Sequence, residues 1–130
     1  MTPDFFARSK NQVLAAIPAA EWRQIEPHLD WVELPLGAML YEAGVVLQHV
    51  YFPATAIVSL VSSMKDGASA EVAVVGNEGV VGVAAFMGGG RALSSAVVHS
   101  AGQALRITAE SIACCAWQSE SIMQQLLRYT

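Results

Sequence analysis

HVYFPATAIVSLVSSMKDGASAEVAVVGNEGVVG, residues 49–82, is the stretch that decides the fold. Two runs rich in β-branched residues flank Asp66-Gly67, and both turn residues tolerate positive φ. This pattern predicts an antiparallel β-hairpin. The second run leads into a segment with several glycines between residues 76 and 82. Glycines after a strand allow the backbone to approach a small ligand closely or to turn into a short helix, so the segment indicates a ligand-binding loop.

Short strand candidates continue on both sides of this hairpin, with glycine and proline residues between them. Their lengths and regular spacing predict a mainly β sandwich or small barrel of about seven or eight strands. The candidates are residues 31–34, 38–41, 45–50, 56–63, 70–75, 95–100 and 103–108.

Helical patterns come before the strands. Asn11 is a suitable N-cap for a short helix over residues 12–16. Pro18 suits the first position of a second helix that ends near Leu29. In the second helix, apolar residues at spacings of three and four form one stripe that needs a surface to cover. The stripe consists of Trp22, Ile25 and Leu29.

A third helix is expected at the end of the chain. Ser119 is a suitable cap, and Glu120 lies in the first turn, where a carboxylate is favourable. The pattern reaches Thr130 without a glycine or proline stop signal, so we expect the protein to continue beyond this residue. The apolar face of this helix is formed by Ile122, Met123, Leu126 and Leu127.

The composition limits the classes of function. The 130 residues suffice for one domain, and 54% hydrophobic against 14% charged residues indicates extensive burial or an apolar surface for a partner. The net charge of -4, with 7 scattered Lys and Arg residues, argues against nucleic-acid binding by this chain itself. No apolar stretch reaches the roughly 18 residues of a membrane span, and no secretory signal is evident. We therefore expect a cytoplasmic protein without membrane contact.

The cysteine and histidine residues do not indicate a metal site. Cys114 and Cys115 are adjacent, which is typical of reduced, buried and inert thiols, and two thiolates cannot hold an iron–sulfur cluster. His28, His49 and His99 are isolated, without a second ligand at metal-binding spacing. The sequence also lacks a nucleophile elbow, a P-loop and a carboxylate pair in an apolar run. We therefore expect that the protein is not an enzyme.

Several short segments share their order and spacing with one known family. In the order and spacing of these segments, the chain resembles the N-terminal sensor domain of Crp/Fnr-type transcription regulators. The resemblance implies a double-stranded β-helix, or jelly roll, of the cyclic-nucleotide-binding type. It also implies a single domain over residues 1–130, with helices in 11–29, the β-roll in 31–108 and the start of a dimerisation helix in 119–130. The segments that carry the resemblance are residues 11–14, 34–37, 40–44, 49–53, 58–60, 66–67, 71, 76–82 and 126–130.

The resemblance also implies a function. The domain would sense a small effector inside the β-roll and transmit its binding to the dimerisation helix. The family members form homodimers through this helix, which places Ile122, Met123 and Leu126 at the dimer seam. They bind DNA through a helix-turn-helix domain that is not present in this sequence.

The implied ligand is a cyclic nucleotide or another small anion, because a helix N-terminus after the glycine segment favours negative charge. In family members that bind cyclic nucleotides, a glutamate holds the ribose and an arginine pairs with the phosphate. In this sequence Val80 takes the place of the glutamate, and Ser94 or Ser95 takes that of the arginine. Glu78 and Arg91 lie nearby but out of register, so the resemblance does not carry these two contacts to this chain. The candidate ligand-binding residues are Glu78, Gly79, Val80, Gly82, Arg91, Ser94 and Ser95.

Two other functions remain open at this point. Without the glutamate and the arginine, the roll could serve as a ligand-free dimerisation and protein-docking module. A cupin-type metalloenzyme uses a similar roll, and it would require a bound metal.

Overall fold

The computed structural model describes residues 11–17, 19–63, 67, 69–82, 92 and 94–118. Two short helices come first, α1 (Gln12–Ala15) and α2 (Ala19–Ile25), followed by a 3-10 turn at Glu26–His28. The strands are β1 (Asp30–Leu34), β2 (Met39–Tyr41), β3 (His49–Pro53), β4 (Ile57–Ser63), β5 (Ser69–Val75), β6 (Ser95–Ser100) and β7 (Gly102–Thr108). A helix, α3 (Ala109–Gln118), follows β7.

The strands form two antiparallel sheets. The three-stranded sheet has the order β1-β7-β3, and the four-stranded sheet has the order β2-β6-β4-β5. Strands β4 and β5 pair from Ser63 opposite Ser69 to Val58 opposite Val75. This confirms the predicted hairpin, and Gly67 in its turn has a φ of +89°. The arrangement is a jelly roll, as the sequence predicts.

The core has two parts, because successive strand residues point to opposite faces of a sheet. In β3, Val50 and Phe52 face the helices, whereas Tyr51 faces the space between the two sheets. We call the first part the helix-side core and the second the roll interior. The helix-side core contains Val13, Leu14, Ile17, Trp22, Ile25, Leu29, Val50, Phe52, Val80, Leu105, Ile107 and Ile112. The roll interior contains Leu34, Tyr51, Ala56, Val58, Val81, Ala96, Val98 and Ala104.

Asn11 joins α1 to the rest of the fold, and its predicted role as N-cap is confirmed. Its Oδ1 atom accepts hydrogen bonds from the backbone N–H groups of Val13, at 2.9 Å, and Leu14, at 3.3 Å. Its Nδ2 atom donates to the carbonyl oxygens of Pro53, at 2.8 Å, and Gly79, at 3.0 Å. The side chain is fully buried. One amide therefore caps a helix and connects it to both the end of β3 and the glycine segment.

The second helix is shorter than predicted. It ends at Ile25, and the chain continues as a 3-10 turn that contains Pro27. Proline has no N–H to donate within the helix, which favours this early end. The predicted stripe is confirmed, because its three members are all buried in the helix-side core.

The strand predicted at residues 45–50 is wrong in its position. Residues 45–48 form a loop, in which Val45 and Val46 are exposed, and β3 begins only at His49. The strand then runs through Pro53, which pairs with Ala104 at its end. The strand forms where residues 50–52 alternate between two buried faces. The exposed Val45 and Val46, which precede it, do not take part.

The helix α3 was not predicted. Its cap is the last residue of β7, since the Thr108 Oγ1 atom accepts a hydrogen bond from the Ser111 N–H at 3.1 Å. The capping residue therefore lies at the end of residues 103–108, which the sequence pattern predicts as a strand. Cys114 is exposed on this helix, so the expectation of a buried thiol is wrong for this residue. The helix predicted at 119–130, with Ile122, Met123 and Leu126, lies outside the described residues.

Candidate effector site

A cavity of about 320 Å³ lies where β2 ends and β3 begins. We call it the β2–β3 cavity, and we call residues 42–48, which connect the two strands, the β2–β3 loop. Because β2 and β3 belong to different sheets, residues of both sheets line the cavity. The described residues that line it are Leu40, Tyr41, Glu42, Val45, Val46, Leu47, Gln48, His49 and Tyr51.

The first half of the β2–β3 loop is attached to the segment that leads into β6. The Ala43 N–H donates to the Ser95 Oγ atom at 3.0 Å. The Gly44 N–H donates to the Ala92 carbonyl at 2.8 Å, and the Ala92 N–H donates to the Val45 carbonyl at 2.9 Å. Gly44 has a φ of +88°, a conformation that favours glycine. These bonds hold one side of the cavity wall in place.

The second half of the loop is attached to α3. The carbonyl of Gln48, a cavity-lining residue, accepts a hydrogen bond from the N–H of Ala109 at 2.8 Å. Ala109 is the first residue of α3. The adjacent residues His49 and Thr108 are Cα partners in the pairing of β3 with β7. The Gln48 carbonyl therefore connects the cavity wall to the first residue of this helix.

Two tyrosines, Tyr41 and Tyr51, belong to the cavity wall. Burial, followed by the electrostatic effect of Tyr51, raises the pKa of Tyr41 from 10.0 to about 12. Tyr41 is therefore a neutral phenol at physiological pH. Tyr51 is buried in the roll interior and belongs to the opposite sheet. The two sheets thus each present one tyrosine to the cavity.

His49 is a further titratable group of the wall. Burial lowers the pKa of His49 from 6.5, Arg106 lowers it further, and Asp30 opposes the change. Arg106 is the Cα partner of both Asp30 and Tyr51, so its charge is placed beside a carboxylate. The imidazole of His49 is mainly neutral at physiological pH, which leaves Glu42 as the charged side chain among the described lining residues.

The predicted residues at the start of the glycine segment lie away from the cavity wall. The Glu78 carboxylate accepts a hydrogen bond from the Gly76 N–H at 3.0 Å, within its own turn. The Gly79 N–H donates to the Gly76 carbonyl, and the Gly79 carbonyl accepts from the buried Asn11. Val80 is buried in the helix-side core. These residues therefore have structural contacts of their own.

Among the other predicted residues, Gly82 contacts β3 and Ser95 contacts the β2–β3 loop. Gly82 has a φ of +93° and packs so closely on β3 that an added Cβ would lie 2.9 Å from the His49 carbonyl oxygen. Ser95 bonds the loop at Ala43, and Ser94 is the half-buried residue before it. Arg91 lies outside the described residues.

Sequence reasoning missed the lining residues Tyr41, Gln48 and Tyr51. The alternation of β3 places Tyr51 on the face opposite Val50 and Phe52, which is a signal for an inward-facing polar group. No sequence signal pairs Tyr41 with Tyr51, since the two lie on different sheets.

The described residues offer neither a metal site nor a membrane span. Among them, no three His, Cys, Asp or Glu side chains lie close enough together to hold a metal ion. Within the same part of the chain, no helix has the length and apolar character needed to cross a membrane.

The two antiparallel sheets define a jelly-roll domain of the cyclic-nucleotide-binding type. The profile of the cyclic nucleotide-binding domain matches residues 31–115. This is more than half of the chain, and the chain belongs to the cyclic nucleotide-binding domain family. No curated protein matches the sequence significantly.

Solved structures with the same fold include transcription regulators. The N-terminal domain of a transcriptional regulator from Streptomyces coelicolor A3(2) is similar, with a TM-score of 0.72 and 19% identity over 93% of this chain and 85% of that chain. The catabolite activator protein of Thermus thermophilus has a TM-score of 0.75 and 17% identity, over 91% of this chain and 55% of its own. The fold is thus that of Crp/Fnr-type N-terminal domains.

A kinase regulatory subunit is also similar. It belongs to a cAMP-independent protein kinase A from Trypanosoma cruzi, and its structure was determined bound to guanosine. The TM-score is 0.77 with 16% identity, over 89% of this chain and 40% of that chain. At this identity the similarity concerns the fold.

Proposed function

We propose that this chain is the effector-sensing, non-enzymatic domain of a Crp/Fnr-type transcription regulator. A small effector binds in the β2–β3 cavity, and its binding is transmitted to α3 and to a dimerisation helix beyond it. The observation that carries the proposal is the hydrogen bond between the Gln48 carbonyl, in the cavity wall, and the Ala109 N–H, at the start of α3. The similarity in fold to the two transcription regulators supports it.

The β2–β3 loop is the element that transmits the signal. It is held by Ser95 and Ala92 at one end and by Ala109 at the other. An effector that fits one position of the loop better than another shifts the loop toward that position. The start of α3 follows, because it is bonded to the loop. The coupling is then as large as the difference in effector affinity between the two positions.

This coupling can be tested without knowing the effector. The Ser95→Ala variant removes the acceptor of the Ala43 N–H and loosens the far end of the loop. If the loop transmits motion, amide hydrogen exchange at Ala109 becomes several-fold faster. Ser100→Ala, at the other end of the same strand, serves as the control and leaves Ala109 unchanged. Equal exchange at Ala109 in both variants would contradict the proposal.

The dimer forms through residues 119–130 in this proposal, with Ile122, Met123 and Leu126 at the seam. DNA is contacted by a further domain of the longer protein. Replacing Ile122 and Leu126 by Glu then dissociates the dimer, because two carboxylates would be buried without a partner. Sedimentation velocity measures this, and an unchanged dimer would refute the assignment of the seam.

The nature of the ligand follows from the cavity and not from the family name. The guanosine bound to the Trypanosoma cruzi subunit is a nucleoside without a phosphate. It supports the view that this fold accommodates effectors other than cyclic nucleotides.

A further inference from the structure

We infer that the β2–β3 cavity selects an uncharged, hydrogen-bonding heterocycle of nucleoside size and discriminates against the phosphodiester of a cyclic nucleotide. The inference rests on the proposed function, because it specifies the ligand class of the same cavity.

The first reason is the charge of the wall. Among the described lining residues, Glu42 carries a negative charge and none is a lysine or arginine. Arg106, which affects His49, lies on β7 with Asp30 as its cross-strand partner and does not line the cavity. From the described residues, a phosphodiester would therefore meet a like charge and no charge-assisted hydrogen bond of the kind that normally holds it.

The second reason is that two of the predicted ligand-binding side chains already hold backbone groups of the chain itself. The Ser95 hydroxyl, at the start of β6, accepts the hydrogen bond of the Ala43 N–H. The Glu78 carboxylate accepts that of the Gly76 N–H. The Ser95 O–H can still donate to a phosphate oxygen, but one neutral hydroxyl does not replace the charge-assisted pair that an arginine provides.

The third reason is the chemistry of the groups that remain. Tyr41, Gln48, His49 and Tyr51 provide hydroxyl, amide and imidazole groups, which donate and accept hydrogen bonds without a formal charge. The aromatic rings, together with the side chains of residues 45–47, provide apolar surface for a planar ring. The volume of about 320 Å³ lies at the lower end of the usual range for small-molecule sites. A purine nucleoside has the matching combination of planar ring, polar edge and zero charge.

The test is a calorimetric titration of the 130-residue chain with guanosine, adenosine, cyclic AMP and cyclic GMP. We expect at least one nucleoside to bind more tightly than the cyclic nucleotide with the same base. Tyr41→Phe removes one hydroxyl without changing the ring, and it should weaken nucleoside binding about tenfold. Val72→Ala, an exposed residue of β5, is the control and should leave the affinity unchanged.

Glu42→Gln tests the role of charge separately. It should strengthen the binding of cyclic nucleotides relative to nucleosides, because it removes the like charge. Tighter binding of a cyclic nucleotide to the unmodified chain, lost in Arg91→Ala, would overturn the inference, with Arg91 as the phosphate ligand. The sensing function would survive that result. Failure of both nucleosides to bind at millimolar concentration would also overturn the inference. The hydrogen-exchange experiment on Ala109 tests the proposed function independently of this result.

Discussion

Replacing Asn11 by Ala should destabilise the domain by about 3 kcal/mol. The loss of a side-chain N-cap costs about 1 kcal/mol. The carbonyl oxygens of Pro53 and Gly79 each lose a buried donor, at about 1 kcal/mol per hydrogen bond. Because the three contributions come from one amide, they are lost together. Urea unfolding followed by circular dichroism measures the change in the free energy of unfolding.

The Asn11→Ser variant separates the N-cap hydrogen bonds from the two hydrogen bonds that the Asn11 amide donates to Pro53 and Gly79. A serine hydroxyl can still accept from Val13 or Leu14, but it is too short to replace the amide donor. It should therefore lose about 2 kcal/mol, about 1 kcal/mol less than the alanine variant. Gln12→Ala, an exposed neighbour in the same helix, should change stability by less than about 0.5 kcal/mol. Equal losses in the serine and alanine variants, or a loss below about 1 kcal/mol in both, would refute this account of Asn11.

Three further predictions concern the cavity and its border. Gly82→Ala should destabilise the domain by about 1–3 kcal/mol more than Gly37→Ala. Both glycines have positive φ, but an added Cβ meets the His49 carbonyl at 2.9 Å only in the first case, and chemical denaturation compares the two. The raised pKa of Tyr41 stabilises the fold fully below pH 10.0, and this contribution disappears as the pH rises toward about 12. Tyr41→Phe should therefore lose less stability across that window in base titrations. The pKa of His49 is lowered from 6.5, so its contribution is present above pH 6.5 and is lost as the pH falls through the folded-state pKa. Arg106→Gln should raise that pKa, as measured by NMR titration of the imidazole.

Each of these predictions has its own contrary result. Equal losses for the two glycine variants would show that the backbone of β3 yields to the added methyl group. A tyrosine variant as sensitive to high pH as the parent would show that another group causes the loss. An imidazole pKa unchanged by the arginine substitution would leave burial as the cause of its shift.

Local sequence signals predicted most of the strands and helices correctly. The hairpin of β4 and β5 could be predicted because its turn residues and its alternating valines both indicate the same structure, and the pairing of the two strands confirms it. The N-cap at Asn11 could be predicted because a cap depends on one side chain and the backbone a few residues after it, and the hydrogen bonds to Val13 and Leu14 confirm it. The strand β3 was misplaced by four residues, since the exposed Val45 and Val46 resemble strand residues in sequence. The helix α3 was missed because its cap, Thr108, also completes a strand.

The family resemblance was also recognisable from sequence, because it depends on the order and spacing of short motifs, and the profile match confirms it. The contacts of individual predicted ligand residues were not recognisable in this way. The sequence does not reveal that Val80 enters the helix-side core or that Ser95 bonds the β2–β3 loop. Each contact joins residues more than fifty positions apart or on different elements, so no local pattern encodes it.

The sequence by itself determined the class of fold, since β-branched alternation, turn residues and helix caps act over a few neighbouring positions. The tertiary structure alone decided the site. The cavity exists because Tyr41 and Tyr51, on strands of different sheets, come together in one wall. Its link to α3 exists because the Gln48 carbonyl and the Ala109 N–H, sixty-one residues apart, come within 2.8 Å. Only the packing of two sheets brings such distant groups together, and that packing is a property of the whole chain.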